Sequence, residues 1–125
     1  VPYALHTRLS MVDLRDVAEA AARVLTEKGH EGAIYELSGA EALTQREVAA
    51  ALAAQLGRPV SAETVAIEEW EQQATDAGLS EYAVETLGKM FMHYEQYGFQ
   101  GNPQVLGWLL GRPPVTFAQF LERTT

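Results

Sequence analysis

The sequence predicts a helix-rich α/β fold with about three short strands and about six helices, forming a single domain over residues 1–125. Three observations support this fold class. A chain of 125 residues is long enough for one hydrophobic core. Hydrophobic residues make up 47% and charged residues 21%, which is ordinary globular usage and disfavours intrinsic disorder. Short β-type segments also interrupt a series of segments with helical apolar spacing.

The first strand and helix are predicted near the N-terminus. Residues 8–14 alternate polar and apolar side chains, which is typical of a half-buried strand. Asp16 followed by Glu19 resembles a capping box, so we expect a helix from Asp16 to Leu25. Gly29 would end this helix, and capping would account for Asp16 completely.

A second strand and helix follow. Residues 33–38 are rich in β-formers and lie between glycines, which predicts a strand. Thr44 and Glu47 have capping-box spacing, and the apolar stripe after them ends at Gly57. We expect this helix to be the most regular one.

The middle of the chain predicts one strand and two helices. Residues 60–66 have an extended pattern, and a short helix begins at Ile67, where early carboxylates suit the positive end of its dipole. Gly78 would end that helix. Ser80 would cap a longer helix that Gly98 closes.

Two helices are predicted in the last quarter of the chain. Pro103 suits the first turn of a helix that continues through Leu110. Thr116 and Gln119 have capping spacing at the start of a final helix that carries Phe117 and Phe120.

Composition excludes several classes of function. Seventeen acidic against nine basic residues give a net charge of −8, which disfavours nucleic-acid binding because phosphates need clustered cations. The absence of cysteine removes disulfides and thiolate nucleophiles and fits a cytoplasmic protein. No apolar run is long enough for a membrane span. The start at Val1, without a basic segment or Met, suggests an internal segment of a longer protein.

No catalytic, cofactor or metal site is predicted in this chain. It contains neither a G-x-G-x-x-G nor a G-x-x-x-x-G-K loop, and no tyrosine has a lysine four positions later. His6, His30 and His93 share no metal-ligand spacing. The carboxylates at 68–71 and Asp13 are interpreted as structural, because acids near helix starts complement the dipole.

An aromatic segment is the candidate substrate site. Adaptable Met and hydroxyl-tipped Tyr side chains are typical of pocket walls for flat apolar ligands. Tyr94 and Tyr97 would face the pocket, with Met90 beneath them. The alternative is that these side chains pack against neighbouring helices as core. The candidate substrate-binding residues are Met90, Phe91, His93, Tyr94 and Tyr97.

Four segments, in order, resemble the second half of NmrA-like proteins, atypical members of the short-chain dehydrogenase/reductase superfamily. Residues 8–21 are similar to a strand followed by D-V-A-E-A, and residues 34–39 to Y-E-L-T-G. Residues 43–60 resemble a helix ending in L-G-R-P-V, and residues 111–120 resemble G-R-P-P-x-T-F-x-E-F.

This resemblance implies the C-terminal, substrate-binding lobe of a Rossmann-type protein. The lobe would sit over the nicotinamide of NAD(P), which an N-terminal Rossmann half, missing from this chain, would bind. Residues 33–38 would join the main parallel sheet, whereas residues 9–14 and 60–66 would pair in a small separate sheet. The chain would then bind a small apolar or aromatic ligand for a quinone or dye reductase and be inactive alone.

Two alternatives stay open at this point. One is an NAD(P)-linked redox sensor that binds a ligand without turnover. The other is a stand-alone ligand-binding domain that forms a homodimer.

Overall fold

The computed structural model describes residues 1–124, and helices account for more than half of them. The helices pack in three pairs, α1 with α5, α2 with α6, and α3 with α4. Their bounds are α1 Leu14–Thr26, α2 Gln45–Leu56, α3 Ile67–Asp76, α4 Glu81–Tyr97, α5 Pro103–Leu110 and α6 Phe117–Thr124.

Most helix ends follow the predicted local signals. Thr44 and Glu47 form a reciprocal capping box at the start of α2. The Ser80 hydroxyl accepts a hydrogen bond from the third residue of α4, and Pro103 occupies the first turn of α5. Gly57 ends α2 in the left-handed conformation, at φ 61°, where a residue with a Cβ would be strained.

The first helix begins earlier than predicted. Asp13, not Asp16, caps α1, and its carboxylate accepts a hydrogen bond from the Arg15 amide. Asp16 lies in the first turn and is only 1% exposed. The capping explanation of Asp16 is therefore wrong, because this side chain bonds to a distant part of the chain.

The prediction of about three strands is also wrong. Among residues 1–124 no strand forms, and only two isolated bridges are present, both at Leu9. Leu9 pairs antiparallel with Leu43 and parallel with Phe99. The Ser10 amide still bonds to the Phe99 carbonyl, but residues 11–14 continue the pairing no further, because the capping turn at Asp13 and helix α1 follow.

The other two predicted strands have no regular secondary structure and form no ladder. Residues 33–38 pair with no strand within residues 1–124, and Ile34 is 97% exposed. Residues 60–66 do not pair with residues 9–14; instead, Val65 donates its amide to the Val1 carbonyl. Alternation and β-propensity predict an extended backbone, but a strand also needs a partner at hydrogen-bonding distance.

The core lies between α1 and α5. Ala20, Leu106 and Leu110 are almost fully buried there, and the partly buried Val12 and Leu37 pack on them. Val12 and Leu37 therefore bring two separate segments of the chain against the same helix pair. In the described part of the chain, no helix combines the length and the apolar character that crossing a bilayer requires.

Candidate functional site

An apolar cavity of about 320 Å³ lies between residues 11–14, residues 40–43 and the start of α6. This volume falls at the small end of the range for ligand pockets. Most of its lining is hydrophobic, and its polar members come from both sides of the cavity. The lining residues are Met11, Val12, Asp13, Leu14, Ala40, Glu41, Leu43, Val115, Thr116, Phe117 and Phe120.

A close crossing of two chain segments forms one side of the cavity. A Cβ atom on Gly39 would lie 1.7 Å from the carbonyl oxygen of Met11, so only glycine allows this approach. Residues 11–14 and 40–43 follow the crossing on the two segments and line the same cavity. The backbone crossing therefore positions this side of the cavity.

An aromatic wall closes the opposite side. Phe117 and Phe120 stack with their ring centroids 6.2 Å apart and an interplanar angle of 17°. The start of α6 is fixed by reciprocal bonds, since Thr116 donates its amide to Gln119 and accepts the Gln119 amide in return. Two nearly parallel rings at a well-ordered helix start present a flat apolar surface.

The loop before α6 is tied to α1 by the buried Asp16. One carboxylate oxygen accepts from the Arg112 guanidinium at 2.7 Å, and the other accepts from the Val115 amide at 2.7 Å. Arg112 also bonds to Glu19 at 2.6 Å. The hydrogen bonds that Arg112 donates to the two carboxylates raise the pKa of Arg112, and the bond that Glu19 accepts from Arg112 lowers the pKa of Glu19. This network sets the position of Val115 and hence of the aromatic wall.

The two ionisable groups that line the cavity are both carboxylates. Asp13 accepts from Arg123 at 2.6 Å, and its side chain is 4% exposed. Burial by itself raises the pKa of Asp13, but hydrogen bonds from the Arg15 amide and from Arg123 outweigh it, so the pKa is lowered. Glu41 is exposed and accepts only the Phe117 amide, at 3.2 Å; within residues 1–124 it has no cationic partner.

The sequence-predicted aromatic segment lies elsewhere, on α4, and two of its residues pack as core. Phe91 and Tyr94 are half-buried and both contact the buried Tyr3 ring. Trp70 meets Phe91 edge-on at 4.7 Å, and Phe99 contacts Tyr94. These contacts correspond to the packing alternative considered for the segment.

The remaining predicted residues have more open positions. Tyr97 is 66% exposed, and its ring lies 4.9 Å from that of the exposed His93. Met90 is partly buried. None of the five predicted residues lines the cavity, so their role in ligand binding stays a prediction.

Sequence reasoning missed the cavity because its residues come from three distant segments. The sequence contains one local indication of the cavity, the spacing of Phe117 and Phe120 three residues apart on α6. Such a pair is equally typical of an ordinary core-facing stripe, so spacing alone does not distinguish the two roles.

The described residues do not fit the phosphates of a dinucleotide. Such a site needs free amide groups at a helix start after a glycine-rich turn. The sequence has no such glycine-rich turn, and in five of the six helices of residues 1–124 a side chain of the chain itself occupies one amide of the first turn. The side chains that occupy these amides belong to Asp13, Thr44, Ser80, Asn102 and Thr116.

Comparison with known proteins identifies relatives over most of the chain. It is 34% identical, over 92% of its length, to an NAD(P)H azoreductase from Xenophilus azovorans, of which it covers 40%. It is 33% identical, over 83% of its length, to quinone oxidoreductase 2 of Escherichia coli, of which it covers 36%. The chain thus spans about two fifths of the length of these relatives. No protein-family model matches the sequence.

Solved structures share the fold. The NADPH complex of an Escherichia coli NADPH-dependent quinone oxidoreductase superimposes with a TM-score of 0.84 at 29% identity, over 98% of this chain and 43% of that one. Triphenylmethane reductase from Citrobacter sp., with NADP(H), superimposes over the whole chain and 44% of its own, with a TM-score of 0.82 at 24% identity. The second likeness concerns the fold alone.

Proposed function

Since the chain corresponds to a C-terminal portion of the NmrA-like family of NAD(P)H-dependent reductases, we propose that it binds and orients a flat aromatic acceptor in the whole protein. The acceptor would be a quinone or an azo dye, the compound classes named for the two curated relatives. In this proposal the chain contributes the substrate-binding lobe, and the whole protein carries out the reduction.

The cavity beside α6 is the observation that carries this proposal. Its volume of about 320 Å³ suits a molecule of two or three fused or linked rings. The stacked rings of Phe117 and Phe120 offer such a molecule a flat surface, and aromatic contacts favour offset stacking there. Met11 and Leu14, 40% and 78% exposed, form an adaptable apolar rim.

NAD(P)H would supply the hydride, but we identify no phosphate-binding loop for it within residues 1–124. We therefore assign cofactor binding to an N-terminal Rossmann half and the acceptor to this lobe. The isolated chain is then expected neither to bind nor to oxidise NADPH, and calorimetric titration of NADPH into residues 1–125 tests this. Micromolar affinity would overturn the assignment.

Steady-state oxidation of NADPH by the full-length protein tests the acceptor site. With 1,4-naphthoquinone as acceptor, Phe117→Ala should raise KM about tenfold, because one face of the stacking surface is lost. Leu25→Ala, at an 84% exposed position on α1 outside the cavity lining, serves as the control. An unchanged KM in a folded Phe117→Ala protein would remove the cavity from the proposal. Acceptor binding without NADPH oxidation would favour the sensor alternative.

The aromatic segment of α4 is a second proposed acceptor surface. The exposed rings of His93 and Tyr97 leave an aromatic face accessible, whereas Phe91 and Tyr94 would support it from the core side. Tyr97→Ala distinguishes the two surfaces. A rise in KM for Tyr97→Ala, with Phe117→Ala unchanged, would place the acceptor on α4.

A further inference from the structure

The two ionisable residues that line the cavity beside α6 differ in whether a cation is paired with them. Asp13 and Glu41 are the only ionisable groups among its lining residues, and both are acids. The neighbouring cations act on Asp13: Arg123 bonds to its carboxylate, and Arg15 attracts it. Glu41 forms no ion pair in the described part of the chain. Arg8 bonds to the carbonyl of the neighbouring Ala42, but its ion pair is with Glu47. Glu41 is thus the one acid of the described lining without a paired cation.

We propose that Glu41 makes this cavity selective for cationic or neutral aromatic acceptors over anionic ones. The inference rests on the proposed function of the cavity and adds the charge class of its ligand. A cationic substituent near Glu41 is attracted to a carboxylate that has no paired cation, whereas a sulfonate or carboxylate on the same rings is repelled. The apolar lining and the Phe117–Phe120 wall bind the rings themselves, whatever their charge.

The position of Glu41 is well defined although its side chain is exposed. Its Oε2 atom accepts the amide of Phe117, the first residue of α6, which holds the carboxylate beside the aromatic wall. Glutamine retains an oxygen that can accept the same amide. Glu41→Gln therefore removes the charge and keeps the hydrogen bond. A change in selectivity in this variant would result from the loss of the charge and not from local unfolding.

Three probes with one ring system test the inference by equilibrium dialysis against the full-length protein. They are azobenzene, its 4-trimethylammonium derivative and its 4-sulfonate. We expect the unmodified protein to bind the cation about two- to fivefold more tightly than the sulfonate, the scale of one exposed charge contact. Added salt should reduce this ratio. In Glu41→Gln the ratio should approach one, with the affinity for neutral azobenzene unchanged.

Glu122→Gln is the matched control, because it removes one exposed carboxylate from α6 outside the cavity lining. The inference is overturned if Glu41→Gln leaves the ratio unchanged, or if Glu122→Gln lowers it equally, since overall charge would then be the cause. Binding of all three probes with no discrimination would overturn the selectivity and leave the proposed function intact. Failure of all three to bind would overturn both.

Discussion

Buried charge at a single residue links the first helix to the loop that forms the aromatic wall. Asp16 is 1% exposed, and each of its oxygens accepts a short hydrogen bond from residues almost a hundred positions away. A carboxylate so far removed from water is tolerated only when its charge is paired and its lone pairs are used. Asp16 therefore acts as a structural link between α1 and residues 112–115.

Replacing Asp16 by Ala should lower the free energy of unfolding by about 2–4 kcal/mol, because two charge-assisted bonds are lost and the Val115 amide loses its acceptor. Urea denaturation measures this loss. Glu19→Ala is the control, since Glu19 bonds to the same Arg112 from a more exposed position and its loss should cost clearly less than that of Asp16. Equal losses in the two variants would contradict the structural role of Asp16.

The lowered pKa of Asp13 predicts acid sensitivity. Because the folded-state pKa lies below the unfolded value, the unfolded chain binds the proton more readily. The stabilisation is thus present at neutral pH and is lost as the pH falls below about 4. Asp13→Asn should be about 1 kcal/mol less stable at neutral pH, mainly through the bond to Arg123. The difference in the free energy of unfolding between Asp13→Asn and the unmodified protein should vanish towards pH 2. Urea denaturation at several pH values measures this difference.

At the level of elements, Gly39 controls how two segments approach. Gly39→Ala should lower the free energy of unfolding by about 3 kcal/mol or more, because its Cβ would overlap the Met11 carbonyl and force the backbone apart. Gly107→Ala is the control: in helix α5 its Cβ would make only ordinary contacts, at 3.6 Å or more, and alanine favours helix. Chemical denaturation of both variants tests the prediction. If Gly39→Ala and Gly107→Ala were equally stable, the close approach of Gly39 to the Met11 carbonyl would be contradicted.

Helices were predictable from the sequence because their signals are local. The Thr44–Glu47 capping box, Ser80 and Pro103 each lie within a few residues of the amides that they satisfy or replace. Strand pairing was not predictable from the sequence, since the Leu9 bridges join residues more than thirty positions apart. Asp16 shows the same limit, because a cap and a buried ion pair have the same residue type at a helix start.

The candidate site follows the same division. Their spacing predicts that Phe117 and Phe120 lie on one apolar face of α6. It does not predict which segments of the chain lie across the cavity from that face. The aromatic content of α4 was visible in the sequence, yet the contacts of Tyr3 with Phe91 and Tyr94 depend on how the first residues of the chain pack on α4. Composition identified the residue types, and tertiary packing decided which of them are accessible.

For the molecule as a whole, residues 33–37 are the most conspicuous unpaired surface. They contain β-forming side chains and form no ladder within residues 1–124. Ile34 is 97% exposed, while Leu37 packs on the core between α1 and α5. An exposed edge of this kind readily pairs with another strand. In the whole protein we expect the N-terminal half to cover it.

The isolated segment of residues 1–125 should therefore associate through this edge. A two-fold dimer is expected, because symmetric pairing of identical edges closes the assembly. Ile34→Lys should shift the mass measured by light scattering towards the monomer, since a charged residue on an exposed edge opposes pairing. Leu25→Lys, an equally large change at an 84% exposed position on α1, should leave the mass unchanged. A monomeric mass at all concentrations, with the amides of residues 34–37 protected from hydrogen exchange, would show that residues 1–125 satisfy this edge without a partner.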